Sequence, residues 1–192
     1  MVVNGKVLKP EITVLLQDVE ESEVMPLRLF LSYSHADAKH VEQLRKGLKV
    51  MERNGLIRTW YDREIATGQE WKPTILRELG EADAIICQLS ADFLASEFCF
   101  RTELGEAIKR QSAGQAVLIA YVLRACGWRR VDQLSRFQLL PRDGKPLRDW
   151  RDPDQYWEVI TDGIEAALKK LRQDPRLLAK RAQDQRASTV GG

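Results

Sequence analysis

The residue of this 192-residue chain best placed to do chemistry is Glu103, within AIICQLSADFLASEFCFRTELGEAI at positions 84–108. The apolar run 84–89 is short, partly β-branched and closed by Ser90, the pattern of a strand covered on both faces. A polar turn around Asp92 and Ser96 is expected next, followed by a helix over 97–111 in which Phe100, Leu104, Ala107 and Ile108 recur at helical spacing. Glu103 falls at the border of that apolar stripe, whereas Glu106 falls further round, toward solvent. A carboxylate at the core's edge, near the carboxyl end of a central strand, sits where open α/β sheets place their ligands.

The rest of the chain must position that carboxylate. Residues 27–33 (LRLFLSY) read as a first strand, and 34–37 as a strand-to-helix turn with Ser34 or Asp37 as N-cap. Val41, Leu44, Leu48 and Met51 define a helix that Asn54-Gly55 ends. Residues 56–61 form a second strand, 62–68 a polar connector, and 71–79 a short helix with Pro73 in its first turn. A fourth buried strand spans 116–123, and 124–145 are irregular, with Gly127, Pro141 and Gly144 as breakers. Residues 145–147 are a candidate edge strand, and 152–171 a last amphipathic helix through Trp157, Ile160, Ile164, Leu168 and Leu171. Repeated strand–helix alternation predicts a parallel sheet with helices on both faces. Residues 1–25 read as a leader, 26–172 as the domain, and 173–192 as a polar, basic tail or linker.

Bulk properties exclude several classes. A net charge of +2 is too small for a dedicated nucleic-acid binder. Three cysteines without paired spacing and two histidines assemble no metal-site pattern and suit reduced, cytoplasmic thiols. No signal peptide or membrane-length apolar segment is visible, so no membrane is expected. There is no G-x-G-x-x-G after a strand and no P-loop lysine, so no tightly held cofactor is expected. A phospho-acceptor receiver is strongly disfavoured because the third strand ends in Gln88-Leu89-Ser90, where an aspartate is needed.

Four patches then align in order: LFLSYSHAD (29–37), TWYDREIATGQEW (59–71), SADFLASEFCFRTE (90–103) and LPRDGKPLRDW (140–150). Together they resemble the TIR (Toll/interleukin-1 receptor) domain in its bacterial form, over roughly residues 26–171. The resemblance implies a flavodoxin-like three-layer fold with a central parallel sheet of about five strands. It also implies one of two activities: hydrolysis of NAD at the nicotinamide–ribose bond, giving ADP-ribose or a cyclic isomer, or non-catalytic TIR–TIR scaffolding. A nucleoside deoxyribosyltransferase, which also sets a glutamate at a glycosidic bond, is disfavoured by the patches at 59–71 and 140–150.

In catalytic relatives the glutamate after the third strand is essential, and Glu103 is the matching residue. NAD is then substrate rather than cofactor, and the resemblance places Ser32, Tyr33, Ser34, Trp60, Asp62, Trp71, Ser96 and Cys99 around it. Amides near Ser34 could receive phosphate oxygens at a helix start. His35 is read as a surface or turn histidine rather than a general base. Many relatives carry an aromatic four residues before the glutamate; here that position is Cys99, with Phe98 just before it. The resemblance further implies self-assembly with other TIR domains through the loop 62–68, in immune or stress signalling, with a fused or associated sensor domain as a possible partner.

Overall fold

The computed structural model describes residues 25–62, 70–176 and 179–181. The leader expected over 1–25, except Met25, and most of the loop expected over 62–68 lie outside the described residues. Four strands form one parallel sheet in the order β2-β1-β3-β4: β1 (Leu27–Ser32), β2 (Ile57–Trp60), β3 (Ala84–Leu89) and β4 (Val117–Val122). Around it pack α1 (Ala38–Arg53), α2 (Trp71–Glu81), α3 (Ala91–Ala95), α4 (Gly105–Ser112), α5 (Asp132–Ser135) and α6 (Pro153–Arg172). This is the flavodoxin-like arrangement, with helices on both faces.

The side-chain alternation of the strands divides two cores. Leu27, Leu29, Ile86, Ile119 and Tyr121 point to the face covered by α1 and α6, through Leu44, Leu48, Ile160 and Ile164. Phe30, Ile85, Leu89, Leu118 and Val122 point to the opposite face, against Ile75 and Leu79 of α2 and Leu104 and Ala107 beyond β3. All six β3 residues are buried, as befits a central parallel strand covered on both sides.

Several boundaries differ from expectation. The turn after β3 is the short helix α3, because Ser90 caps it by accepting a hydrogen bond from the Phe93 amide at 3.0 Å. The helix expected over 97–111 divides into a π-helical segment, Phe98–Leu104, that runs directly into α4. The edge strand expected at 145–147 is absent; Leu147–Asp149 is a 3-10 turn. A single parallel bridge, Tyr121 to Leu140, takes the fifth-strand position. Leu140 exchanges hydrogen bonds with the Ala120 carbonyl and the Val122 amide, but the next residue, Pro141, has no amide hydrogen with which to extend the ladder. Neither Ser34 nor Asp37 caps α1 through its side chain; Asp37 is turned inward instead. Arg181, in the stretch read as tail, is seated on the domain: its guanidinium donates to the Met25 and Pro26 carbonyls at 2.9 Å and to Asp83 at 2.6 Å.

Helices α1 and α6 approach closely at Gly47, where a Cβ would lie 2.4 Å from Thr161 Cγ2. Thr161 is branched and its hydroxyl bonds the Trp157 carbonyl, so it cannot give way easily. Gly80 of α2 has open space around it. Gly47→Ala is therefore expected to destabilise the fold by about 1–3 kcal/mol despite its better helix propensity. Gly80→Ala is expected to stabilise it by roughly 0.5–1 kcal/mol. The urea midpoints of the two variants should move in opposite directions.

Candidate active site

The carboxyl ends of β1 and β2 and the helical segment after β3 enclose a cavity of about 570 Å³. Phe30, Leu31, Ile75 and Phe98 make its apolar wall; Tyr33, Ser34, His35, Asp62, Ser96, Cys99 and Glu103 supply its polar groups. That size and that mixture of a greasy lining with a few converging polar groups are those of a small-molecule site.

Glu103 lies within this pocket and is only 6% exposed. It is the second-last residue of the π-helical segment, a geometry that recurs at functional sites because it disturbs the regular ladder. Ser32, the last residue of β1, donates its hydroxyl to Glu103 Oε2 at 2.7 Å. The Cys99 thiol is 3.4 Å from the Tyr33 carbonyl and also bonds Glu103. Burial pushes the Glu103 carboxyl up to about 7; the Ser32 and Cys99 hydrogen bonds oppose the rise, and the charge of Asp62 adds to it. Burial likewise pushes the Cys99 thiol up to about 12, so Cys99 is a neutral neighbour rather than a thiolate.

At the mouth, Asp62 follows β2 and is held twice. The Tyr33 hydroxyl donates to its Oδ1, and its Oδ2 pairs with His35 Nε2. Trp71, at the start of α2, is 55% exposed and meets Phe98 edge-on with ring centroids 4.9 Å apart. These two rings form an aromatic wall able to take a flat heterocycle. Ser96 accepts from the Cys99 amide at 3.2 Å, fixing the start of the helical segment.

The sequence-derived set is thus brought together with two exceptions. Ser32 stands behind the cavity lining and reaches it through Glu103. Trp60 does not line the cavity; it stacks on Phe30 at 5.2 Å and packs with the core, as its position opposite Phe30 in the ladder requires. Among residues the sequence did not single out, Phe30 and Leu31 belong to the strand and Ile75 to the apolar stripe of α2. Only the topology shows that they end at the pocket.

Below the rim lies a second polar cluster, around Asp37, which is 1% exposed. It accepts from the Ser90 hydroxyl at 2.6 Å and pairs with Arg124 at 2.7 Å; Arg124 also binds Asp92. Gln88 donates to the Asp37 carbonyl and accepts from the Tyr121 hydroxyl. Among the described residues no group of acidic, histidine and cysteine side chains could hold a metal ion, and no helix is long and apolar enough to cross a membrane.

A parallel α/β sheet carrying a glutamate-lined pocket at its carboxyl edge has the layout of a ligand-binding α/β domain. A sequence model described as the TIR domain matches residues 29–158. A protein of Sinorhizobium fredii (strain NBRC 101917 / NGR234), "Uncharacterized protein y4lF", is 37% identical over 143 residues, 74% of this chain and 44% of that protein. The chain therefore spans under half the length of the curated relative it matches. A solved structure, "Structure of the activated Roq1 resistosome directly recognizing the pathogen effector XopQ (TIR domains)", superimposes with a TM-score of 0.46 at 19% identity, covering 71% of this chain and 82% of that one. The chain belongs to the TIR domain family.

The raised carboxyl of Glu103 carries a stability signature. Its value lies near 4.5 in the unfolded chain and about 7 in the folded one, so the folded state holds the proton more tightly. Stability from this group is fully present below pH 4.5 and is lost as pH rises through about 7. Glu103→Gln is expected to match the wild type near pH 4 and to exceed it at pH 8 by roughly 3 kcal/mol at most. Urea denaturation of both proteins at the two pH values checks this.

Proposed function

We propose that this domain is an NAD glycohydrolase, cleaving the nicotinamide–ribose bond to release nicotinamide and ADP-ribose or a cyclic isomer. The observation that carries the reading is Glu103: a buried carboxyl, anchored by Ser32, in a cavity with an aromatic wall. Cleavage of an N-glycosidic bond develops positive charge on the ribose. A carboxylate already fixed by Ser32 stabilises that charge without reorganising solvent. Nicotinamide departs neutral, so no strong general acid is required. NAD also brings its own means of ionising the site, because a pyridinium cation beside the carboxyl favours loss of its proton. The Trp71–Phe98 wall would take the nicotinamide or adenine ring.

The test is chromatography of NAD incubated with concentrated protein. Nicotinamide release is expected from the wild type, and a loss of at least about 100-fold from Glu103→Gln, the scale of removing one preorganised electrostatic group. The kcat/KM of the wild type should rise with pH through a midpoint of about 7, since that parameter reports the unliganded enzyme; the kcat midpoint should lie lower, because bound NAD favours the ionised form. Absence of release from protein shown to self-associate would favour the scaffold reading, for which Cys99 in place of the family's aromatic is the supporting observation.

Self-association with other TIR domains, through residues 62–68, is part of the same proposal, as is a role in immune signalling. Turnover per molecule is then expected to increase with protein concentration, and dilution below the association range to abolish it.

A further inference from the structure

A second titratable pair faces the cavity that Glu103 lines. Asp62 and His35 both line it, with the pair at its mouth. Asp62 is mostly buried, with 20% of its side chain exposed, while the imidazole of His35 is 85% exposed. The carboxylate is fixed from both sides, by the Tyr33 hydroxyl on Oδ1 and by His35 Nε2 on Oδ2. In a neutral imidazole, a carboxylate bonded to one ring nitrogen sets the tautomer, with the hydrogen on Nε2 and the lone pair on Nδ1. The carboxylate–imidazole pairing is that of the orienter and base in a hydrolytic triad, and both residues line the cavity, His35 on its solvent-exposed side.

Glu103 does not fill the same role. Its Oε2 is occupied by Ser32, it lies in the buried part of the pocket, and its assigned task is to remain an anion facing the ribose. Cys99 is neutral and the Tyr33 hydroxyl is spent on Asp62.

We propose that His35, oriented by Asp62, is the general base that takes the proton from the attacking water, and so decides how fast the ribose is captured by hydrolysis. The inference rests on the NAD-cleaving reading of the site. As the water oxygen forms its bond to C1′ of the ribose, its proton passes to His35 Nδ1. The electron pair of the breaking C1′–N bond stays on the nicotinamide nitrogen, which leaves neutral. The imidazolium, held by Asp62, then releases its proton to solvent. The balance is NAD⁺ and water to ADP-ribose, nicotinamide and one proton. His35 is the catalytic residue of this step and Asp62 its positioning residue.

A nucleophile with no proton to lose separates this role from every other. The full chain, at self-associating concentration, is given NAD and excess 3-acetylpyridine, and ADP-ribose and the exchanged dinucleotide are quantified together. The pyridine nitrogen carries no hydrogen, so exchange needs Glu103 but no base. His35→Gln is expected to lower ADP-ribose formation by at least about 10-fold, since a positioned base contributes roughly 10²–10⁴, and to leave exchange within about 2-fold. Asp62→Asn should shift the product ratio in the same direction. Parallel loss of both products in His35→Gln, or loss of neither, overturns the base assignment and makes the pair an ordinary surface contact. A wild type that forms neither product overturns the NAD-cleaving reading, and this inference with it. Because His35 is exposed, its substitution leaves the core intact, and thermal unfolding of the variant should match the wild type.

Discussion

The Asp37 carboxylate is the constraint on which the carboxyl edge depends. A buried unpaired charge of this kind is strongly unfavourable, so its partners must be present whenever the domain is folded. Those partners come from the segment after β3, through Ser90, and from the segment after β4, through Arg124. Asp37 itself follows β1. One side chain therefore links the ends of three neighbouring strands, and Gln88 and Tyr121 extend the link within the sheet. The turn that carries Tyr33, Ser34 and His35 leaves β1 between that anchor and the pocket, so its path over the cavity follows from where Asp37 is buried. Ser90 serves two ends at once, donating to Asp37 and accepting from Phe93, which starts α3 and thereby the approach to Glu103.

The pocket sets two requirements against each other. Exclusion of water strengthens an electrostatic contact with a developing cation, yet the same exclusion disfavours the ionised carboxyl that makes the contact. Ser32 moderates the conflict without removing it, and Cys99 adds a weaker donor. What remains is a carboxyl poised near neutrality, whose ionisation is favoured by a cationic ligand. At the mouth the balance is reversed: Asp62 is partly solvated and doubly hydrogen-bonded, and His35 stands almost wholly in water. Two carboxylates a short chain path from one sheet edge thus meet opposite environments, which is how one pocket can hold distinct chemical tasks.

Much of this was legible in the sequence because it follows from periodicity. The runs 27–33, 84–89 and 116–123 can only be buried strands, and the Val41–Leu44–Leu48–Met51 stripe can only be one face of a helix. Glu103 was legible for the same reason, at the border of such a stripe. The inward turn of Asp37 was not, since an aspartate after a strand reads as a helix cap, and its true partners are 53 and 87 positions away. Trp60 has the composition of a ligand-stacking residue, but its register opposite Phe30 commits it to the core. Where an edge strand is expected at 145–147 the chain turns as a 3-10 segment from Leu147, and the bridge to β4 is made instead by Leu140, a contact that no local pattern encodes.

The π-helical turn between Phe98 and Leu104 changes what residue spacing means. In an α-helix, the side chain lying over position i belongs to residue i−4; when the ring is closed by i→i+5 bonds, residue i−5 takes that place. Phe98 is five residues before Glu103, and it is Phe98 that reaches the cavity wall against Trp71. Cys99, four residues before Glu103, bonds the carboxyl, while Phe98, one letter earlier, brings an aromatic ring to the same cavity lining. A π-helical turn thus moves by one letter the sequence column that can supply a given part of a cavity wall.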